Sequence, residues 1–569
     1  MLRGAVFLLW LLIAIVFPGP SVAASKPDVV LITLDSTRAD RMGFLGSHKG
    51  LTPALDAIAG QSIVFERAYA QAPLTLVSHA TILSGTYPQM TGASELGVAT
   101  TQGIPNLPEL LHGHGYRTAA FLGSIDLDPR NGLASGFDRG FDVYDAIFRL
   151  PQRGQDRYET VELHGDEVVA RAIKWLTRNP QHPLFLWVNL CDLLATRASS
   201  YNSAVNAADA AVGKLIGFLR EQKLYDNSLI VVASDHGESL GAHGEDTHGI
   251  FLYDETIHVP LVVKLPQSQM PGKRVGARVR LLDIAPTIVE VAGVPVPSEM
   301  QGQSLLRIAK TGTDQPAYAR SDLPAQGFGW SGLESWRAGK YLYVRAPKPE
   351  LYDLSADPNA THNLAQSLPA TLETMAAQLA AFDNHLSGKS TVPGLTSSEV
   401  EKLASLGYVG LQMTGVGANP GAEGTDPKDV IARANQVMNA FLAVGDGKPE
   451  QAIPAFNEAL AGQSDLYLAQ YGVGTALVEE QRYSKAIEHL HKAIQLQPNS
   501  VWAHYQMGLC LLNTGDFKAA AIHLEIVSAR LTESVVVHSM LAKAYAHLGR
   551  VQDADHEHAK ATDLAHHAP

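Results

Sequence analysis

The chain has 569 residues, 46% of them apolar, which is enough to build more than one packed core. Its 44 Lys plus Arg against 57 Asp plus Glu leave a formal charge of −13, which argues against a nucleic-acid binder needing a basic patch to displace counterions. An anionic substrate stays open, because a bound cation can supply local positive charge, and two distant cysteines, Cys191 and Cys510, exclude a disulfide framework.

At the start of the chain, Arg3 precedes the apolar run 5–17 and then "PGPSVAA". This is the pattern of a secretory signal over residues 1–24, cut near Ala23 or Ala24. The run falls short of the roughly 20 apolar residues of a spanning helix, so no membrane span is expected after cleavage. The mature protein is then exported, either periplasmic or secreted.

From 25 to 385, short β-branched runs alternate with helical stretches, predicting an α/β domain with a mostly parallel sheet flanked by helices. Three runs read as buried strands ending in an acid: "DVVLITLD" at Asp35, "PLFLWVNLCD" at Asp192 and "NSLIVVASDH" at Asp235, with His236 adjoining. The carboxyl ends of such strands line the ligand crevice. Three carboxylates there repel one another unless a cation sits among them; the plain alternative is that each caps the next helix. Thr75, in "TLVSHATILSG", falls just before an expected helix start. There the helix amides favour negative charge and a metal can activate a hydroxyl; the alternative is that Thr75 or Ser78 is the N-cap.

Residues 386–430 have the Gly, Ser, Thr and Pro content of a linker, with one short helix near "SEVEKLASLG". Beyond it small residues recur every 34 positions: Ala440, Gly474, Gly508 and Ala542, then Ala452, Ala486, Ala520 and Ala554. This is the tetratricopeptide period, and it predicts an all-α domain of about four repeats over 431–569. Stacked repeats suit a protein partner or self-association.

Several long motifs are recognisable together: "LITLDSTRADRMGFLG", "TPALDAIAGQSIVFERAYAQAPLTLVSHATILSGTYP", "GFDRGFDVYD", "SDHGESLGAHGEDTHGIFLYDETIHVPLVV" and "LYDLSADPNATHNLA". Residues 28–410 resemble the sulfatase branch of the alkaline phosphatase superfamily. The resemblance implies a metal site of Asp35, Thr75, Asp235 and His236, holding zinc or manganese, with calcium as a further option. It places Thr75 at the nucleophile position, where sulfatases carry a Cys or Ser oxidised to formylglycine within C/S-x-P-S-R. Oxidised threonine would be a ketone, so no formylglycine is expected; related phosphodiesterases use threonine. His243 and His248 of "GAHGEDTHG" are candidate general acids for the leaving group, whereas Glu238 and His258 read as structural.

Two departures count against full activity. Leu194 stands where relatives carry a His after the middle strand, and Leu96 where Thr-type relatives carry an Asn that donates to the substrate's oxygen. Losing one such donor costs about 10²–10³ in rate. Three functions follow: a metal-dependent hydrolase or transferase acting on an anionic ester, phosphodiesters first; a catalytically impaired fold serving as a protein-binding scaffold through its repeats; and a sulfuric ester hydrolase.

Overall fold

The computed structural model describes residues 26–93, 103–129, 134–146, 163–191, 198–386, 395–406, 408, 424–532 and 534–567. The signal region, Leu96, Asp192 and Leu194 lie outside these residues.

Among the described residues, eight strands form one sheet: β1 (Val29–Leu34), β2 (Ile63–Tyr69), β3 (Arg117–Leu122), β4 (Val143–Asp145), β5 (Leu184–Leu190), β6 (Leu229–Ser234), β7 (His258–Lys264) and β8 (Arg274–Arg280). Their order is β4-β3-β5-β1-β6-β7-β2-β8. Only β7 runs against its neighbours, so the sheet is mostly parallel, as the sequence predicts. β5, β1 and β6 are adjacent and central, and every residue of β1 and β6 is buried.

Alternation along β1 explains the layering. Val30, Ile32 and Leu34 enter the core that also holds Val168, Trp175, Val212 and Leu215, residues of helices α2 (Gly165–Arg178) and α3 (Ala198–Glu221). Val29 and Leu31 face the opposite core, shared with helix α1 (Thr75–Ser84) and α4 (Ile284–Val291). Two-sided burial of aliphatic side chains, worth about 1.5–3 kcal/mol each, selects continuous Val/Ile/Leu strands here. A second, antiparallel sheet follows: β9 (Ala317–Ser321), β10 (Leu333–Ala338), β11 (Tyr341–Arg345) and β12 (Glu350–Asp353). Between β9 and β10 lies the short helix α5 (Leu323–Phe328).

The segment read as linker contains helix α6 (Ser397–Ser405) and is not detached. Leu403 and Tyr408 are buried, Glu399 pairs with Arg530, and Lys402 pairs with Glu525. Eight further helices follow in antiparallel pairs: α7 (Pro427–Gly445) and α8 (Pro449–Gly462), α9 (Tyr467–Glu479) and α10 (Tyr483–Leu496), α11 (Val501–Thr514) and α12 (Phe517–Ser528), α13 (Val535–His547) and α14 (Val551–His567). The recurring small residues have a steric reason. A Cβ on Gly474 would meet Leu490 at 2.7 Å, and one on Gly508 would meet Leu524 at 2.8 Å.

A buried polar device recurs with the same period. Gln470 donates to the carbonyl of Ser464 and accepts from His489 Nδ1 at 2.8 Å. One repeat later His504 donates through Nε2 to the carbonyl of Pro498, and its Nδ1 lies 2.7 Å from His523 Nδ1. One repeat further, His538 bonds the carbonyl of Thr532 and pairs with Glu557. In a neutral His504 whose Nε2–H is committed to Pro498, Nδ1 is an acceptor, and His523 is the donor across the His504–His523 contact. Burial lowers His504 to about 4 and His523 well below the ordinary imidazole range. Tyr408, His491 and the Glu399–Arg530 pair surround them.

A folded-state pKa below the unfolded value of about 6.5 gives stability that is complete above 6.5 and lost as pH falls toward 4. Between pH 7.5 and 5, His504 alone is expected to cost about 2 kcal/mol. His504→Gln, which copies the Gln470 arrangement, should remove that share of the acid sensitivity. Urea unfolding of both proteins at the two pH values checks it; an equal loss in both contradicts it.

Candidate active site

The register that pairs Leu34 with Ser234 brings the ends of β1 and β6 side by side. Asp35 and Asp235 therefore leave the sheet as neighbours, and His236 follows directly. One ligand atom from each of Asp35, Asp235 and His236 lies within 4.8 Å of the others, and all three residues are buried. Neither acid caps a helix. Asp235 Oδ1 accepts the backbone N–H of Ser36 at 3.1 Å and of His236 at 2.7 Å, while Asp35 Oδ1 accepts from Ser36 Oγ at 3.0 Å.

Thr75 is the first residue of α1, and Leu74 holds the N-cap position without a side-chain bond. Ser78 does not cap either, since its hydroxyl donates to the carbonyl of Ala72. The Thr75 hydroxyl instead lies 3.1 Å from His236 Nε2 and 3.4 Å from Asp35 Oδ1. His236 Nδ1 lies 2.8 Å from the Gly237 carbonyl, which fixes Nδ1 as the donor and leaves the Nε2 lone pair facing Thr75 and Asp35. Asp35, Thr75, Asp235 and His236 thus converge on one point.

Burial holds Asp35 up at about 6 and raises Asp235 well above the carboxylate range, to which the Asp35 charge adds. Burial keeps His236 well below the imidazole range, so it is a neutral nitrogen donor. Asp235 Oδ2 is buried and has no hydrogen-bond donor among the described residues. An orphaned carboxylate oxygen beside a second acid and a free imidazole lone pair fits a divalent cation; without one, the cluster carries a desolvation cost that nothing repays. Two carboxylates, one imidazole and one hydroxyl form the hard, mixed O/N set that zinc or manganese accepts.

The loop after β1 is held from outside. Ser36 has a left-handed φ of 51°, and Tyr201 of α3 donates to its carbonyl while accepting the N–H of Arg38. Arg38 chelates Asp40 and also donates to the carbonyls of Glu238 and Ser239, tying the β1 and β6 loops together.

His248 lies tilted against His236, with ring centroids 4.4 Å apart and planes at 44°, and bonds Glu238 through Nδ1 at 3.0 Å. His243 is placed differently: its ring lies 3.7 Å from that of Tyr253, and its Nε2 is 3.8 Å from Glu255. Of the two candidate acids, His248 is the one that touches the metal-ligand cluster. His258 bonds the carbonyl of Glu66 and stacks on Tyr69, a structural role.

Sequence reasoning missed His79, one turn after Thr75. Its Nδ1 donates to the Thr75 carbonyl at 2.8 Å and lies 3.5 Å from Asp235 Oδ2. Its Nε2 accepts from the Thr33 hydroxyl, which itself accepts from Trp187 Nε1 and Asn189 Nδ2. Burial holds His79 at about 4, so the ring is neutral and the tautomer is set by this chain of bonds. A polar Asn189 within an otherwise apolar strand was the available signal.

Comparison with known proteins agrees with this fold. Residues 27–191 match the sulfatase family, residues 244–385 match the N-sulphoglucosamine sulphohydrolase C-terminal family, and residues 474–515 match the TPR repeat. The chain thus carries a sulfatase-like domain followed by tetratricopeptide repeats. It is 26% identical to the ulvan-active sulfatase of Formosa agariphila, over 60% of this chain and 77% of that one. It is 23% identical to arylsulfatase K of Gallus gallus, over 66% and 86%. The fold matches the phosphonate monoester hydrolase of Agrobacterium radiobacter with a TM-score of 0.54 at 19% identity, covering 66% of this chain and 99% of that one. It matches a protein solved with its substrate D-glucosamine-2-N,6-O-disulfate with a TM-score of 0.53 at 20% identity, over 63% and 98%. Proteins of this sulfatase-like superfamily are metal-dependent.

The sulfatase-like protein reconstituted with Zn²⁺ or Mn²⁺ is expected to retain one ion per chain after desalting. Asp235→Asn keeps an acceptor for the Ser36 and His236 amides but removes the charge, and it should lose the ion. Metal analysis of both proteins decides this; a wild type that keeps no ion contradicts the site.

Proposed function

We propose that this sulfatase-like protein is a metal-dependent hydrolase or transferase of anionic esters, phosphate diesters first, with Thr75 as nucleophile. The observation that carries the reading is the Thr75 hydroxyl at the start of α1, 3.1 Å from a neutral His236 and 3.4 Å from Asp35. A cation held by Asp35, Asp235, His236 and Thr75 would supply Lewis acidity, lowering the hydroxyl's pKa and offsetting charge on the ester. Thr75 Oγ, its proton given up to solvent water, forms the new bond to phosphorus as the bond to the leaving alkoxide breaks. The N-terminal amides of α1 face the charge that develops there. His248 is the favoured proton donor to the leaving oxygen, ahead of His243, because it lies against the cluster. Water or an acceptor alcohol then releases the phosphoryl group from Thr75.

Several relatives are named sulfatases, which keeps sulfuric esters as a competing substrate class. Thr75 favours phosphate, because a secondary alcohol cannot become the aldehyde hydrate used by formylglycine. Binding of a protein partner through the repeats is compatible with either chemistry. We place the mature protein outside the cytoplasm, periplasmic or secreted, on the strength of residues 1–24; no described helix is long and apolar enough to cross a membrane.

The test compares bis-nitrophenyl phosphate, nitrophenyl phosphate and nitrophenyl sulfate with Zn²⁺- or Mn²⁺-loaded protein. Diester hydrolysis should lead. Thr75→Ala is expected to lose at least about 10³-fold in kcat, as removal of a nucleophile does, while Thr75→Ser keeps most of the rate. Sulfate hydrolysis ahead of both phosphates would transfer the reading to sulfuric esters. No turnover of any ester would leave the scaffold function.

A further inference from the structure

We propose that the first repeat helix is part of the active site: through Asn435 and Asn439, α7 holds the loop 239–248 in the conformation that sets His248 against His236. The consequence for rate rests on the function proposed above; the clamp itself does not.

The loop needs holding. Within six residues Leu240, Gly241, His243 and Gly244 all take left-handed φ, at 54°, 87°, 54° and 84°, a conformation that is costly for leucine and histidine. Its internal bonds are local: Ser239 N–H to the Thr247 carbonyl, Gly241 N–H to the Glu245 carbonyl, three i to i+3 turn bonds from Ala242, Gly244 and Glu245 N–H, and Ser239 Oγ to the Ala242 carbonyl, while the buried Glu245 carboxylate accepts from Ile250 and Phe251 N–H. Across the junction, Asn435 grips the loop backbone at two points. Its Nδ2 donates to the Gly244 carbonyl at 2.7 Å and its Oδ1 accepts the Asp246 N–H at 3.1 Å. One turn along the helix, Asn439 Nδ2 donates to Asp246 Oδ2 at 3.0 Å.

A second line of contacts reaches the same helix. Tyr253, under the His243 ring, donates to Glu350 at 2.7 Å, and Glu350 pairs with Lys428 at 2.6 Å, in the first turn of α7. Ile431 of α7 also faces the loop, 3.4 Å from where a Cβ on Gly244 would lie. Beside these contacts the loop and the first repeat are separated by a polar cleft of about 510 Å³, lined by Leu240, Thr247, Leu442 and Lys448 among others. On its α7 side the loop is therefore positioned by a few directional hydrogen bonds. Asn435 and Asn439 are positioning residues, acting through the backbone of the loop that ends in His248.

The full-length protein and Asn435→Ala/Asn439→Ala are compared by amide hydrogen exchange. Exchange at 240–248 should accelerate by about 10-fold or more in the variant, with exchange in β5 and β6 unchanged as the control for folding. On whichever ester the wild type hydrolyses, kcat should fall about 10-fold with KM within about twofold, the split expected when a group acting in the transition state is misplaced. Unchanged exchange in the loop overturns the clamp. So does faster loop exchange with kcat intact. If the wild type hydrolyses no ester, the exchange result alone decides the clamp, and the failure belongs to the catalytic reading. Asn435→Asp separates the two bonds: it keeps the acceptor for Asp246 N–H and loses the donor to Gly244, so its loop exchange should fall between the other two proteins.

Discussion

Two carboxylates delivered side by side from a dry sheet set the terms for everything around them. Asp35 and Asp235 emerge from adjacent strands whose every residue is buried, and neither can spread its charge into water. Hydrogen bonds from Ser36 and His236 satisfy three contacts but leave Asp235 Oδ2 without a donor among the described residues. A fold maintaining such a pair gains from it only by binding positive charge there. The neutral His236 and the Thr75 hydroxyl then complete a site of oxygen and nitrogen donors rather than an accidental cluster.

Holding those donors in place involves more of the chain than the donors themselves. Tyr201 from the far side of the sheet spans Ser36 and Arg38, and Arg38 spans the two loops. On the other face, Trp187, Asn189, Thr33 and His79 form a buried sequence of bonds ending on the Thr75 carbonyl. A fully satisfied buried network of this kind fixes one geometry, because every alternative leaves a polar group unpaired. Gly237 belongs to the same constraint. A Cβ there would lie 2.1 Å from the Glu255 carbonyl oxygen, so the strand-to-loop turn after His236 admits no side chain.

What could be read from the sequence follows from how local each signal is. Asp35, Asp235 and His236 were legible because β-branched runs announce strands and the site lies where such strands end. The repeats were legible because a period of 34 residues repeats its steric reason, seen directly at Gly474 and Gly508. Thr75 needed the family resemblance; spacing alone could not separate it from a helix cap. Tyr201 and Asn435 were not legible, since they meet their partners across 163 and 191 residues and look like ordinary surface-helix polar residues. His79 was hidden for another reason: its partners Thr33 and Asn189 are remote in sequence, and only the fold brings them to it.

The linker composition of 386–430 also misleads about how the two parts relate. Gly and Pro report the absence of continuous secondary structure, not the absence of contact. On one side of the repeats α6 and Tyr408 are docked by two ion pairs and a buried ring. On the other, Gly327 of α5 approaches so closely that a Cβ would lie 2.5 Å from Leu468, and Gln463 and Gln497 bond Trp330 and the Gln326 carbonyl. Apolar residues of both parts belong to one continuous buried cluster. A module held this way cannot swing freely on a tether. Any partner engaging the repeats meets a surface already fixed to the sulfatase-like fold, and a strain imposed on α7 is transmitted by Asn435 to the loop beside the metal-ligand cluster.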